Sequence, residues 1–190
     1  MVATVPQSGA LTSTEFYTAE RYLHECKLDW SELIEGRVVE LMPPGFEHGD
    51  IAAALIAILR EFVKARGLGK VCGEVGFVLA RNPDTVRAPD VAFLRTSRLP
   101  LGAQARSFIE GAPTLAIEIF SPEVRHRELE AKVQLYLQNG TEQVWIVYPD
   151  NRTILVRQPD DSTVEYGEND ILSGGDILPG FSLQVRAIFE

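Results

Sequence analysis

Apolar positions recur along the chain at two spacings, and together they lay out a sheet with helices against it. From Phe46 to Arg66, the residues Ile51, Ala52, Leu55, Ile56, Leu59, Phe62 and Val63 share one face at about 100° per residue, with Asp50, Glu61 and Lys64 opposite. This spacing predicts a long amphipathic helix, stopped by Gly67 and Gly69. A second helix is predicted from about Val124 to Asn139, between Pro122 and Gly140, and a short one from Thr18 to Cys26 with Thr18 as N-cap. Ser31 to Met42 reads as a hairpin folded around Gly36 and ended by Pro43-Pro44-Gly45.

Lys70–Ala80 and Arg87–Leu94 read as two strands on either side of an Asn82-Pro83-Asp84 turn, and residues 95–111 as mostly loop. Thr114–Phe120 is nearly all apolar, the pattern of a central strand covered on both faces. Glu142–Tyr148 follows, turning at Pro149-Asp150-Asn151 into Thr153–Arg157, with short strands near Ser162–Tyr166, Ile171 and Leu183. The predicted class is α/β (α+β), a mixed sheet flanked by helices with added hairpins, in which 114–148 forms a right-handed crossover.

The length of 190 residues suits one domain over 15–190, behind an N-terminal tail at 1–14 that is expected to fray. No apolar run approaches the roughly 20 residues that span a bilayer, and the N-terminus lacks a secretory pattern. Cys26 and Cys72 sit in no metal-ligand spacing, so a reducing, cytoplasmic setting is expected.

The net charge of −9 argues against a protein that coats nucleic acid. It tolerates a nuclease, whose carboxylates a bound metal would partly neutralise. The charge is uneven. Arg81, Arg87, Arg95, Arg98 and Arg106 face only Asp84 and Asp90 in one segment, whereas 141–170 carries seven acids against two arginines.

Two acids stand out within this layout. Asp90, in Ala88-Pro89-Asp90-Val91, directly precedes an apolar strand and is either a turn-capping residue or a metal ligand. Glu118 interrupts the central strand, where an unpaired buried carboxylate costs several kcal/mol or stays protonated. A divalent cation shared with Asp90 would compensate it, and so would a salt bridge to an arginine of the basic segment.

On the second helix, at about 100° per residue, Glu128 and Lys132 fall in the same arc as Leu129, Ala131, Leu135 and Tyr136, with Glu130, Gln134 and Gln138 opposite. Lys132 and Glu128 are thereby placed inside the apolar arc, and an inward-facing lysine is a functional candidate. The alternative is a Glu128–Lys132 pair at the edge of the interface. His48, central on the apolar face of the long helix, is either a site residue or a satisfied core histidine. Near a helix N-terminus the dipole favours its neutral form. Glu40, on the hairpin, is a further candidate acid.

The run Ser121-Pro122, Glu128, Lys132, Tyr136, Gly140, Val144-Trp145-Ile146-Val147, taken with Asp90 and Glu118, resembles the PD-(D/E)XK nuclease superfamily. Within it, the chain is similar to the large restriction-endonuclease-like family expanded in cyanobacteria. The resemblance covers about Ser31 to Leu183. It implies that Asp90, Glu118 and the backbone carbonyl of Ile119 ligate Mg²⁺ or Mn²⁺, and that Lys132 is the charge partner of the attacking water or the phosphate. His48 matches the family as well, and Tyr136 and Glu128 belong to the same run.

The chain departs from the pattern twice. The superfamily's lysine two residues after the glutamate is here Phe120, and the family's usual aspartate after the Trp-bearing strand is Tyr148. The implied function is a metal-dependent endodeoxyribonuclease acting on DNA as a homodimer. Phe120 and the acidic charge keep open a non-catalytic binding or assembly module that retains the fold, and also a hydrolase of a small phosphoester.

Overall fold

A computed structural model describes residues 16–100, 106–121 and 126–190. The expected tail at 1–14, Pro122 and the first residues of the second predicted helix lie outside the described residues.

The helices form where the apolar periodicity places them. Helix α1 is Ala19–Glu25, and the Thr18 side chain accepts the Arg21 N–H as its cap. Helix α2 is Phe46–Arg66, ended by Gly67 in the left-handed region. Helix α3 is His126–Gln138. Thirteen strands are found among the described residues: β1 Ser31–Ile34, β2 Arg37–Glu40, β3 Gly69–Cys72, β4 Phe77–Ala80, β5 Thr85–Arg87, β6 Val91–Arg95, β7 Ile109–Glu110, β8 Leu115–Ile119, β9 Gln143–Tyr148, β10 Thr153–Arg157, β11 Thr163–Tyr166, β12 Ile171–Ser173 and β13 Ser182–Gln184.

A six-stranded sheet in the order β11-β10-β9-β8-β6-β3 is the centre of the molecule. Strands β8 and β9 run parallel across the α3 crossover, and the other neighbours in this sheet are antiparallel. Strict alternation sends Leu115, Ile117 and Ile119 of β8, with Val91, Phe93, Trp145 and Val147, into a core under α2. Ala92, Leu94, Ala116, Val144 and Ile146 pack on the other face, against Leu129, Val133, Tyr136 and Leu137 of α3. All five residues of β8 are buried, as the apolar run predicts. Glu118 has the parity of Ala116 and therefore points towards α3.

A second sheet, β2-β1-β5-β4-β7, carries the first hairpin, and α1 packs on it through Ala19 and Tyr22. The two predicted strands 70–80 and 87–94 are each divided between the two sheets. Strand β3 pairs with β6 in the large sheet, while β4 pairs with β5 in the small one. Pro89 has no N–H for a ladder, so 87–94 breaks at Ala88-Pro89-Asp90. In the other segment, Gly73 and Gly76 leave no room for a side chain. An added Cβ would lie 2.9 Å from Ile56 Cδ1 at Gly73 and 2.4 Å from Phe108 Cδ1 at Gly76. The two crossings are tied together where the Glu74 N–H donates to the Pro89 carbonyl at 3.2 Å. This shared break leaves Asp90 at the mouth of the large sheet.

Candidate active site

The break before β6 and the carboxyl end of β8 lie side by side, and the candidate residues converge there. The Ile119 N–H donates to Asp90 Oδ2 at 2.6 Å, so Asp90 closes a strand end and also presents a carboxylate to the site. Its Oδ1 lies 3.1 Å from His48 Nε2, and His48 Nδ1 lies 3.1 Å from Ser121 Oγ. His48 thus joins the site from the first turn of α2. Burial lowers the imidazole pKa, but the Asp90 hydrogen bond and the charges of Asp90, Glu118 and Glu74 outweigh it and hold it above its ordinary value. The helix dipole, which favours the neutral form, is opposed by these nearer carboxylates.

Glu118 is paired with Lys132, not with an arginine. Lys132 Nζ donates to Glu118 Oε2 at 2.9 Å and to the Ala88 carbonyl at 3.1 Å, and it lies 3.1 Å from Glu32 Oε1. Its side chain is 14% exposed, which places the ammonium inside the protein. Burial opposes its charge, but Glu118, Glu32 and Asp90 together raise its pKa. Burial pushes the Glu118 carboxyl up to about 7; Lys132 opposes this shift, and Asp90 and Glu32 add to it.

Glu32, which the sequence analysis did not single out, is the third carboxylate. It is 4% exposed and receives Arg87 Nη1 at 2.6 Å and the Ala88 N–H at 3.1 Å. Burial would raise its pKa, but Lys132, Arg87 and the Ala88 N–H hold it below its usual range. The signal was present in the register: Glu32 lies opposite Val39 across the hairpin, an acid paired with an apolar residue.

The secondary candidates separate. Tyr136 is fully buried on α3, and burial, followed by the charges of Glu118 and Glu32, pushes its phenol well above its ordinary pKa. Glu40 is exposed at the end of β2. Glu128 is also exposed, not inside the apolar arc. The buried stripe of α3 is Leu129, Val133, Tyr136 and Leu137, displaced from the expected centre. Lys132 lies on the rim of that stripe, and its long stem carries the charge inward. The basic segment is spent largely on ion pairs: Arg81 with Glu20, Asp84 and Glu110, Arg95 and Arg98 with Glu142, and Arg87 with Glu32. Of these, Arg87 belongs to the site.

Among the described residues, no group of three or more His, Cys, Asp or Glu side chains is arranged to hold a metal ion. The site does contain two buried polar atoms that make no well-formed hydrogen bond, Glu118 Oε1 and Tyr136 Oη, although the phenol lies close to the Glu118 carboxylate. A buried carboxylate oxygen left open beside a second carboxylate fits a hard cation whose remaining ligands are backbone oxygen and water.

The sequence profile of the Uma2 family, described as "Putative restriction endonuclease", matches residues 19–186. The chain belongs to the Uma2 family. It is similar in structure to a crystal structure described as a "putative nuclease belonging to DUF820" from Anabaena variabilis. The TM-score is 0.78 at 22% sequence identity, over 91% of this chain and 97% of that one. At that identity the likeness is one of fold. No curated protein matches the chain. The Uma2 fold of this chain is of the PD-(D/E)XK type, and the sheet end that holds Asp90 and Glu118 lies wholly within the matched span. Among the described residues, no helix of this Uma2 protein is long and apolar enough to cross a membrane.

Proposed function

We propose that this Uma2 protein is a metal-dependent endonuclease that hydrolyses phosphodiester bonds in DNA. The observation that carries the reading is the placing of Asp90 and Glu118 at adjoining strand ends, where one buried Glu118 oxygen makes no well-formed hydrogen bond. Asp90 and Glu118 are the residues that would hold Mg²⁺ or Mn²⁺, with the Ile119 carbonyl as a further oxygen. Such an ion supplies Lewis acidity and lowers the pKa of a bound water.

The chain's own residues do the rest. Lys132, fixed by Glu118, Glu32 and the Ala88 carbonyl, offers a preorganised positive charge as a replacement for the superfamily's strand lysine. Phe120 therefore does not leave the site without a cation. Glu32, itself held by Arg87, anchors Lys132. His48, oriented by Ser121 and Asp90, is placed to accept or donate a proton at Nε2. A homodimer is the assembly we propose by analogy.

Calorimetric titration with Mn²⁺ tests the metal site directly. Wild type should bind, and Glu118→Gln should not. A specific observation favours a second reading, a non-catalytic module: both Asp90 oxygens already have protein partners. Absence of Mn²⁺ binding by the folded wild type would select it.

A further inference from the structure

Beside the candidate active site lies a cavity of about 400 Å³, within the size range of small-molecule sites. It opens at the same end of the sheet, where the parallel strands β8 and β9 finish, the usual place for a ligand in a parallel α/β arrangement. Phe120, His126 and Tyr148 line one part of it, and Asp150, Asn151 and Glu165 supply polar groups. The His126 and Tyr148 rings are nearly parallel, at 20° with centroids 6.4 Å apart. Phe120 tilts across both, 4.6 Å from His126 and 5.4 Å from Tyr148.

Both departures of the sequence from the nuclease pattern, Phe120 and Tyr148, therefore meet in one aromatic surface. Phe120 shares its sheet face with Glu118, two residues away, and its chain neighbour Ser121 contacts His48. An occupant of the cavity would lie next to a phosphate held at Asp90 and Glu118.

We propose that this cavity is a subsite for an unpaired nucleobase bearing an exocyclic amino group. This assignment rests on the phosphodiester reading of the neighbouring site and specifies its substrate further. Aromatic side chains bind the π-face of a base, and single-stranded nucleic acid is gripped in this way because its bases are free to stack. Asp150 and Glu165 are acceptors when ionised, so they match the N–H₂ of cytosine, adenine or guanine, whereas thymine offers them only its N3–H, flanked by the O4 and O2 acceptors. The same carboxylates repel a phosphate, which directs the base inward and leaves the backbone outside the cavity. A base inside a duplex cannot reach the surface without leaving its stack, so single strands are preferred.

The test is fluorescence anisotropy with 5′-labelled oligonucleotides dC8, dT8 and a blunt duplex of mixed sequence, in chelator and low salt. Wild type should bind dC8 about tenfold more tightly than dT8, and both single strands more tightly than the duplex. Tyr148→Ala and Phe120→Leu, each checked for native circular dichroism, should weaken dC8 binding about tenfold. Asp150→Asn combined with Glu165→Gln should remove the dC8 preference. Equal binding of dC8 and dT8, no binding of either, or dC8 affinity unchanged in both aromatic variants overturns the proposal. Because no metal is present, failure of the nuclease reading is seen separately, as a wild type that stacks cytosine but never cleaves.

Discussion

The ammonium of Lys132 lies 3.1 Å from Glu32 Oε1, joining the second half of the chain to its first hairpin inside the candidate active site. The lysine is held between two buried carboxylates, since Glu118 Oε2 is 2.9 Å away on its other side. Two acids and one lysine leave an excess of negative charge, which Arg87 balances through Glu32.

This arrangement gives Lys132 a structural role beside the proposed catalytic one. Lys132→Met strands two buried carboxylates and should cost about 3–5 kcal/mol in urea unfolding. Adding Glu32→Gln to it should recover part of the loss, so the double-mutant cycle should show coupling of at least about 1 kcal/mol. Additive losses would show that the contact carries no energy.

Tyr136 offers a contrast between ring and hydroxyl. Its ring is wholly buried, and its hydroxyl makes no well-formed hydrogen bond although it lies close to the Glu118 carboxylate. Tyr136→Ala should therefore cost about 4 kcal/mol in stability. Tyr136→Phe removes only a weakly engaged hydroxyl and should change stability by less than about 1 kcal/mol.

Asp84 contributes to stability in acid, away from the site. It accepts the Ala19 N–H at 2.8 Å and the Asn82 N–H at 3.2 Å, and it pairs with Arg81 at 2.7 Å. Burial alone would raise its pKa, but these donors outweigh it and hold the carboxyl below its ordinary value. The folded pKa is thus depressed. Its stabilisation is present above the unfolded value and is lost as pH falls through the folded one. Asp84→Asn should flatten the acid limb of stability against pH and cost about 2 kcal/mol at neutral pH.

Glu40 and Glu128 are exposed and touch none of the site residues described above. Glu40→Gln and Glu128→Gln should each leave cleavage within about twofold of wild type, the range of an ordinary surface change. A hundredfold loss in either would place a catalytic carboxylate outside the site drawn here.

Much of the fold was legible in the sequence because it rests on local periodicity. The bounds of α2 follow from its apolar face and its terminal Gly67, and β8 from its unbroken apolar run. The division of 70–80 and 87–94 between two sheets was not legible from alternation, since apolar residues flank both breaks closely and Val75 and Ala88 lie within them. Gly73, Gly76 and Pro89 were the available signs. Asp90, Glu118, Lys132 and His48, singled out by pattern and resemblance, do converge. Glu32 escaped because its partners, Lys132 and Arg87, are brought to it only by tertiary packing. Glu128 was misplaced because the stripe of α3 is centred on Val133, which the helical wheel did not weigh.

The central claim is that Asp90 and Glu118 form a metal-dependent phosphodiesterase site. Its most direct test is nicking of supercoiled plasmid by purified wild type in Mn²⁺ or Mg²⁺, beside Asp90→Ala at equal concentration and verified fold. The account predicts conversion to open-circular and linear DNA by wild type, abolished by chelator and reduced at least about a hundredfold in the variant. Cleavage by Asp90→Ala at the wild-type rate, or an inert wild type under every metal condition, would contradict it.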